Sequence, residues 1–113
     1  MSRAAAAADV FHAVADAHRR ELLDVLAQGE APVGALVDRA GLSYSAVSQH
    51  LAVLLDVGLV QRRQQGRQRL YRLDPAPLRE VYDWSGHYAR LWQSKLPRLR
   101  DLLAEERAKR SEP

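Results

Sequence analysis

No cysteine occurs anywhere in the 113 residues, so neither a disulfide nor a thiolate metal site can form, and any metal must be held by histidine, carboxylate or water. Aromatics are sparse, with one Phe, four Tyr and two Trp. No window approaches the run of roughly 18 apolar residues that spans a bilayer, and the opening MSRAAAAA lacks the apolar core of a signal peptide. A cytoplasmic protein with no membrane partner is expected. The patterns that mark a P-loop, G-x-S-x-G, H-E-x-x-H or G-x-G-x-x-G site are missing too. Ser48 and His50, two apart on a helix, point away from each other and cannot act as a catalytic pair. An enzyme is not expected.

What the chain does contain is enough for one compact domain, 47% of its residues being hydrophobic. Its charge is unevenly placed. Between Val57 and Leu73 stand Arg62, Arg63, Arg67, Arg69 and Arg72 with no acid, which leaves 12 bases against 14 acids elsewhere, a net −2. A local positive field on an otherwise ordinary surface suits phosphate contact, although a charge run can also be a merely solvated face.

The spacing of apolar residues predicts a first helix from about Ala4 to Asp16 and a second carrying Leu22, Leu23, Val25 and Leu26, with Gly29 closing it. Pro32 suits the first turn of a third helix, Val33 to Ala40, stopped by Gly41. Ser43 can cap a fourth helix that runs to about Val57. Helix, short glycine turn and helix make a helix-turn-helix signature. On the fourth helix Val47, Leu51, Leu54 and Leu55 share one face, while Ser45, Ser48, Gln49 and Ala52 share the other. That outward face is small, polar and uncharged, as a helix entering a DNA groove requires.

The apolar period then falls from 3.6 to 2. Leu59 to Arg63 and Arg69 to Leu73 read as two strands, joined by a turn over Gln64 to Gln68 centred on Gly66. Asp74, Pro75 and Pro77 start a last helix bearing Leu78, Val81, Tyr82, Tyr88, Leu91 and Trp92. If continuous to Leu103 it would be about 40 Å long, more than one such domain can cover, so its apolar face calls for a second copy. Pro97 should kink or restart it near Leu96, and residues 103–113 read as a frayed tail. The expected fold is mainly α with a small β-hairpin, a winged helix-turn-helix of five helices.

The runs Asp9 to Asp16, Arg19-Arg20-Glu21-Leu22-Leu23, Leu42-Ser-Tyr-Ser-Ala-Val-Ser-Gln-His-Leu51, Gly58-Leu-Val60 and Gly66-Arg-Gln-Arg-Leu-Tyr-Arg-Leu73 resemble the ArsR/SmtB family of winged-helix repressors. The resemblance covers about Asp9 to Leu73. It implies a homodimer joined through the first and last helices, α1 and α5 of the expected fold, on an imperfect palindrome in double-stranded DNA near promoters, usually released by an effector. With residues 43–57 as recognition helix, Ser45, Ser48 and Gln49 become the expected base readers, and Ser43 and Tyr44 phosphate contacts. His50 borders the core face and is either a DNA contact or a structural histidine. Arg62, Arg63, Arg67 and Arg69 are expected on the backbone or in the minor groove, Arg63 near the tip of the wing.

Many members of that family sense metals, yet neither familiar ligand set is present. The third helix holds no cysteine, and Pro75, Pro77, Tyr88 and Leu91 stand where ligands of the other site would fall. The remaining candidates are His12 with Asp16 and Asp83 with His87, which could build a Ni or Zn site across a dimer, or simply an interfacial hydrogen-bond network. Tyr82, Trp84, Tyr88 and Trp92 could line a small-molecule pocket or form dimer core.

Overall fold

The computed structural model describes residues 9–111. Six helices and three strands follow one another in it: α1 (Val10–Val14), α2 (Ala17–Leu26), β1 (Ala31–Pro32), α3 (Val33–Ala40), α4 (Tyr44–Asp56), β2 (Val60–Gln65), β3 (Gln68–Leu73), α5 (Leu78–Gly86) and α6 (Ala89–Ser111). The chain divides into two compact units, one ending at Val81 and one beginning at Tyr82.

In the first unit the helix starts are set by side-chain caps. The carboxylate of Asp9 accepts from the backbone N–H of His12, and Asp16 accepts from those of His18 and Arg19. Asp16 therefore begins a helix instead of ending one, and α1 stops short at Val14, since a residue in the extended conformation at φ −93°, ψ 129° interrupts the helical backbone. Ala4 to Ala8 of the expected first helix lie outside the described residues. Ser43 caps α4 as expected, its Oγ accepting from Ala46 N–H at 3.1 Å. Between α3 and α4 the chain turns at Gly41, whose φ of 69° is a left-handed conformation that a side chain would strain.

The inward faces of these helices meet the base of the hairpin. Leu22, Leu36, Val47, Leu51, Leu54, Leu59 and Val60 are fully buried, and Leu78 and Val81 of α5 pack against this cluster. The sheet has three antiparallel strands in the order β1-β3-β2, not the two of a simple hairpin. Ala31 pairs with Tyr71 and Pro32 with Leu70, so Pro32 occupies an edge strand and the N-cap position of α3. That placement suits a residue with no N–H to give. The strands of the wing also run two residues nearer the tip on β2 than expected, to a loop of only Gly66 and Arg67.

The second unit comprises the end of α5 and the whole of α6. The break falls at His87 and Tyr88, while α6 continues unbroken through Pro97 and on to Ser111, so residues 103–111 are helical. None of its described side chains is buried. No helix among the described residues is long and apolar enough to cross a membrane.

Candidate nucleic-acid interface

Strand alternation divides the wing arginines between two faces. Val60, Arg62 and Gln64 stand opposite Leu73, Tyr71 and Arg69, while Gln61, Arg63 and Gln65 stand opposite Arg72, Leu70 and Gln68. On the first face the row begins in the core, with Val60 and Tyr71 buried, and continues outward as Arg62, Gln64 and Arg69.

Those three residues, with Arg67 from the loop, form one wall of a cleft of about 630 Å³. The facing wall is α4, which contributes Tyr44, Ser48, Ala52 and Leu55. Ser45 and Gln49 stand to one side of that row, both exposed, and Ser43 caps the helix end at which free N–H groups collect. Among the described residues none of Arg62, Arg67 and Arg69 has an acidic partner. An uncharged polar helix face thus stands beside three unneutralised guanidinium groups. That combination can take a polyanion with readable polar edges.

Two of the sequence candidates lie elsewhere. Arg63 is not at the tip but on the opposite face of the wing, forked onto Glu30 through Nε and Nη2 at 2.8 Å each. Its guanidinium holds the Glu30 carboxyl below the usual glutamate range. His50 is half-buried, and its Nδ1 accepts from Arg19 Nη1 at 3.3 Å. Sequence reasoning misses Gln64, which shares the face of Arg62. The signal for it is the two-residue period, extended one step past Arg62 with a shorter loop.

Of the histidine and carboxylate candidates, His12 and Asp16 lie in the first unit and Asp83 and His87 in the second. Asp16 Oδ1 is occupied by two backbone N–H groups, and this, with the neighbouring positive charge, holds its carboxyl below the ordinary aspartate value. His12 is exposed on α1, Asp83 lies on α5 and His87 lies in the break after it. No group of three or more His, Cys, Asp or Glu side chains among the described residues is placed to hold an ion.

A helix-turn-helix followed by a two-stranded wing, with β1 before it adding a third strand to the sheet, defines a winged helix-turn-helix protein. Residues 16–62 match the model of the bacterial regulatory protein, arsR family. The HTH-type transcriptional regulator Rv2034 of Mycobacterium tuberculosis is 44% identical over 60% of this chain and 64% of its own length. The transcriptional repressor SdpR of Bacillus subtilis is 28% identical over 67% of this chain and 84% of its own. In three dimensions the crystal structure of an ArsR family transcriptional regulator matches with a TM-score of 0.64 at 31% identity, over 74% of this chain and 87% of that one. The chain belongs to the ArsR family of transcriptional regulators, which are not enzymes. It spans just under two thirds of the length of Rv2034.

Proposed function

We propose that the protein binds double-stranded DNA as a homodimer at a palindromic operator and represses transcription there. The observation that carries this is the cleft in which Arg62, Arg67 and Arg69, without acidic partners among the described residues, face the polar side of α4. In this mode α4 enters the major groove. Gln49 can pair bidentately with adenine, Ser45 and Ser48 serve either base type, and Tyr44 and Ser43 meet phosphate at the helix N-terminus. The three arginines rest on the backbone or in the minor groove, where they add affinity and salt dependence.

A second copy supplies what the second unit lacks. Helical segments that bury none of their described side chains hold their geometry poorly in water alone, because most helical stability comes from packing an apolar face. Tyr82, Trp84, Tyr88, Leu91, Trp92 and Leu99 are all about half exposed or more, and covering them with the same face of a second chain provides the missing core. Repression is the activity named for SdpR, and an α4 seated in a promoter groove excludes other proteins from it.

Fluorescence anisotropy of the purified protein on its own upstream DNA and on a scrambled duplex, across a salt series, tests this function. Tighter binding to the upstream duplex with a steep negative salt slope is expected. Equal and weak binding to both would overturn it.

A further inference from the structure

Arg63 occupies a particular line in the sheet. β1 pairs with β3 at only two positions, Tyr71 and Leu70, and Leu70 is in turn the partner of Arg63. The row Pro32, Leu70, Arg63 is therefore the last in which the sheet has three strands. Beyond it, toward Gly66, the wing is a bare two-stranded ribbon carrying Gln64, Gln65, Gln68 and Arg69, and such a ribbon has little stiffness of its own. The Arg63 side chain crosses β3 on the outer face and reaches Glu30, the residue that leads into β1. Its Nη2 also donates to Gln65 Oε1 at 3.1 Å, on the free part of the same strand. Three of the guanidinium's five N–H donors are thus committed within the protein.

We infer that Arg63 is a positioning residue for DNA binding and not a phosphate contact. With Glu30 it forms a strut across the line where the supported sheet becomes the free wing, and it fixes the angle at which Arg62, Arg67 and Arg69 are presented on the other face. This role rests on the DNA reading above. Charge alone does not suffice for it, because the fork needs the planar, two-pronged geometry of arginine, which lysine cannot supply. Glu30, an acid beside a DNA-binding hairpin, would on simple electrostatics oppose binding. As half of the strut it favours binding.

The test compares the parent chain with Glu30→Gln, Arg63→Gln, Arg63→Lys and the double Gln variant, measuring operator affinity over a salt series. All three single variants should weaken binding roughly fivefold, as expected for loss of one well-formed ion pair, with the double variant no weaker than a single one. The slope of log K against log salt should stay unchanged throughout. A phosphate-contacting Arg63 gives the opposite pattern: Arg63→Gln flattens the slope by about 0.9, Arg63→Lys is tolerated, and Glu30→Gln tightens binding. Unaltered affinity in every variant equally overturns the strut. A readout free of DNA is the Arg63 Nε–H signal in a nitrogen-15 spectrum. It should move in Glu30→Gln and stay in place when DNA is added to the parent. If the parent binds no duplex in a salt-dependent way, the DNA reading falls and this role falls with it, while the Nε–H signal still reports whether the ion pair exists.

Discussion

Arg19 on α2 and His50 on α4, 31 residues apart in sequence, are joined by a hydrogen bond from Nη1 to Nδ1 of 3.3 Å. Because a guanidinium can only donate, Nδ1 of His50 accepts, and the ring presents its proton at Nε2. The same guanidinium donates from Nε to the carbonyl of Ala13 and from Nη2 to that of His12, which also accepts the backbone N–H of Ala15 where α1 ends. One buried cation thus fastens the end of α1, the start of α2 and the middle of the helix bearing the proposed base readers.

Truncating Arg19 to Met keeps much of the packing of its stem but leaves the Ala13 carbonyl and Nδ1 of His50 without this donor, while the His12 carbonyl keeps the N–H of Ala15. A loss of about 1 to 3 kcal/mol in unfolding free energy is expected, the usual cost of a buried polar group left unsatisfied. Urea denaturation followed by circular dichroism measures it. Arg20→Met, at an exposed neighbour that reaches only the Val14 carbonyl, is the control and should cost far less.

The division of the wing into two faces predicts how its arginines differ. Replacing both Arg67 and Arg69 by Ala should weaken binding to every duplex and reduce the magnitude of the salt slope by about 1.8, near 0.9 for each phosphate that is no longer neutralised. Specific and scrambled DNA should suffer alike. An affinity that falls only on the operator would mean these arginines read bases.

Gln49 should behave in the contrary way. On the exposed side of α4 it carries no charge, so Gln49→Ala leaves the salt slope as it was. What it should lose is discrimination at one or two base pairs, worth about 1 to 3 kcal/mol for a bidentate pairing with adenine. Competition binding with single-base operator variants decides between this and a uniform loss.

Much of this site is legible in local sequence, and the parts that are not are non-local. Ser43 followed by an apolar stripe, Gly41 before it and Gly66 between alternating strands each fix a conformation within a few residues, so α4 and the wing follow directly. β1 is two residues long and exists only because β3 lies beside it, and no periodicity announces it. The partners of His50 and Arg63 lie 31 and 33 residues away, so nothing near either residue in the chain shows that its side chain is engaged within the protein. Pro97 is the natural place to expect a break in the terminal helices, yet α6 passes through it. A proline removes one backbone donor, a modest loss on a helix so exposed, where water can serve the carbonyl one turn back.

Two carboxyls give the stability a definite pH dependence. A backbone N–H bond from Arg19 is the largest influence lowering Asp16 below its ordinary 3.8, and the hydrogen bond from Arg63 lowers Glu30 below 4.5. Since both values are depressed in the folded chain, each contribution is complete above the ordinary value and disappears as pH falls through the folded one. The urea midpoint of the parent should therefore gain nothing from these groups between about pH 5 and 8 and fall below about 4.5. The difference between parent and Glu30→Gln should shrink toward zero on acidification. A difference that grows on acidification would mean Glu30 is not charged in its pair with Arg63.

The two tryptophans offer a direct view of the second unit, because Trp84 and Trp92 are the whole tryptophan content of the chain and are 51% and 60% exposed. They stand on the face proposed to meet a second copy, with Trp84 edge-on to Tyr88 at 5.7 Å between ring centres. Dimerisation should desolvate both indoles, so emission should move to shorter wavelength as protein concentration rises, in step with the mass from sedimentation equilibrium. Trp92→Glu with Leu99→Glu places charge on that face without touching the first unit's core, and should hold the protein as a folded monomer. Its operator affinity should fall steeply, since two linked half-sites engage far more tightly than one. An emission maximum that stays solvent-exposed at every concentration, with monomer mass, would reject the homodimer and leave the single wing and helix as the whole DNA-binding unit.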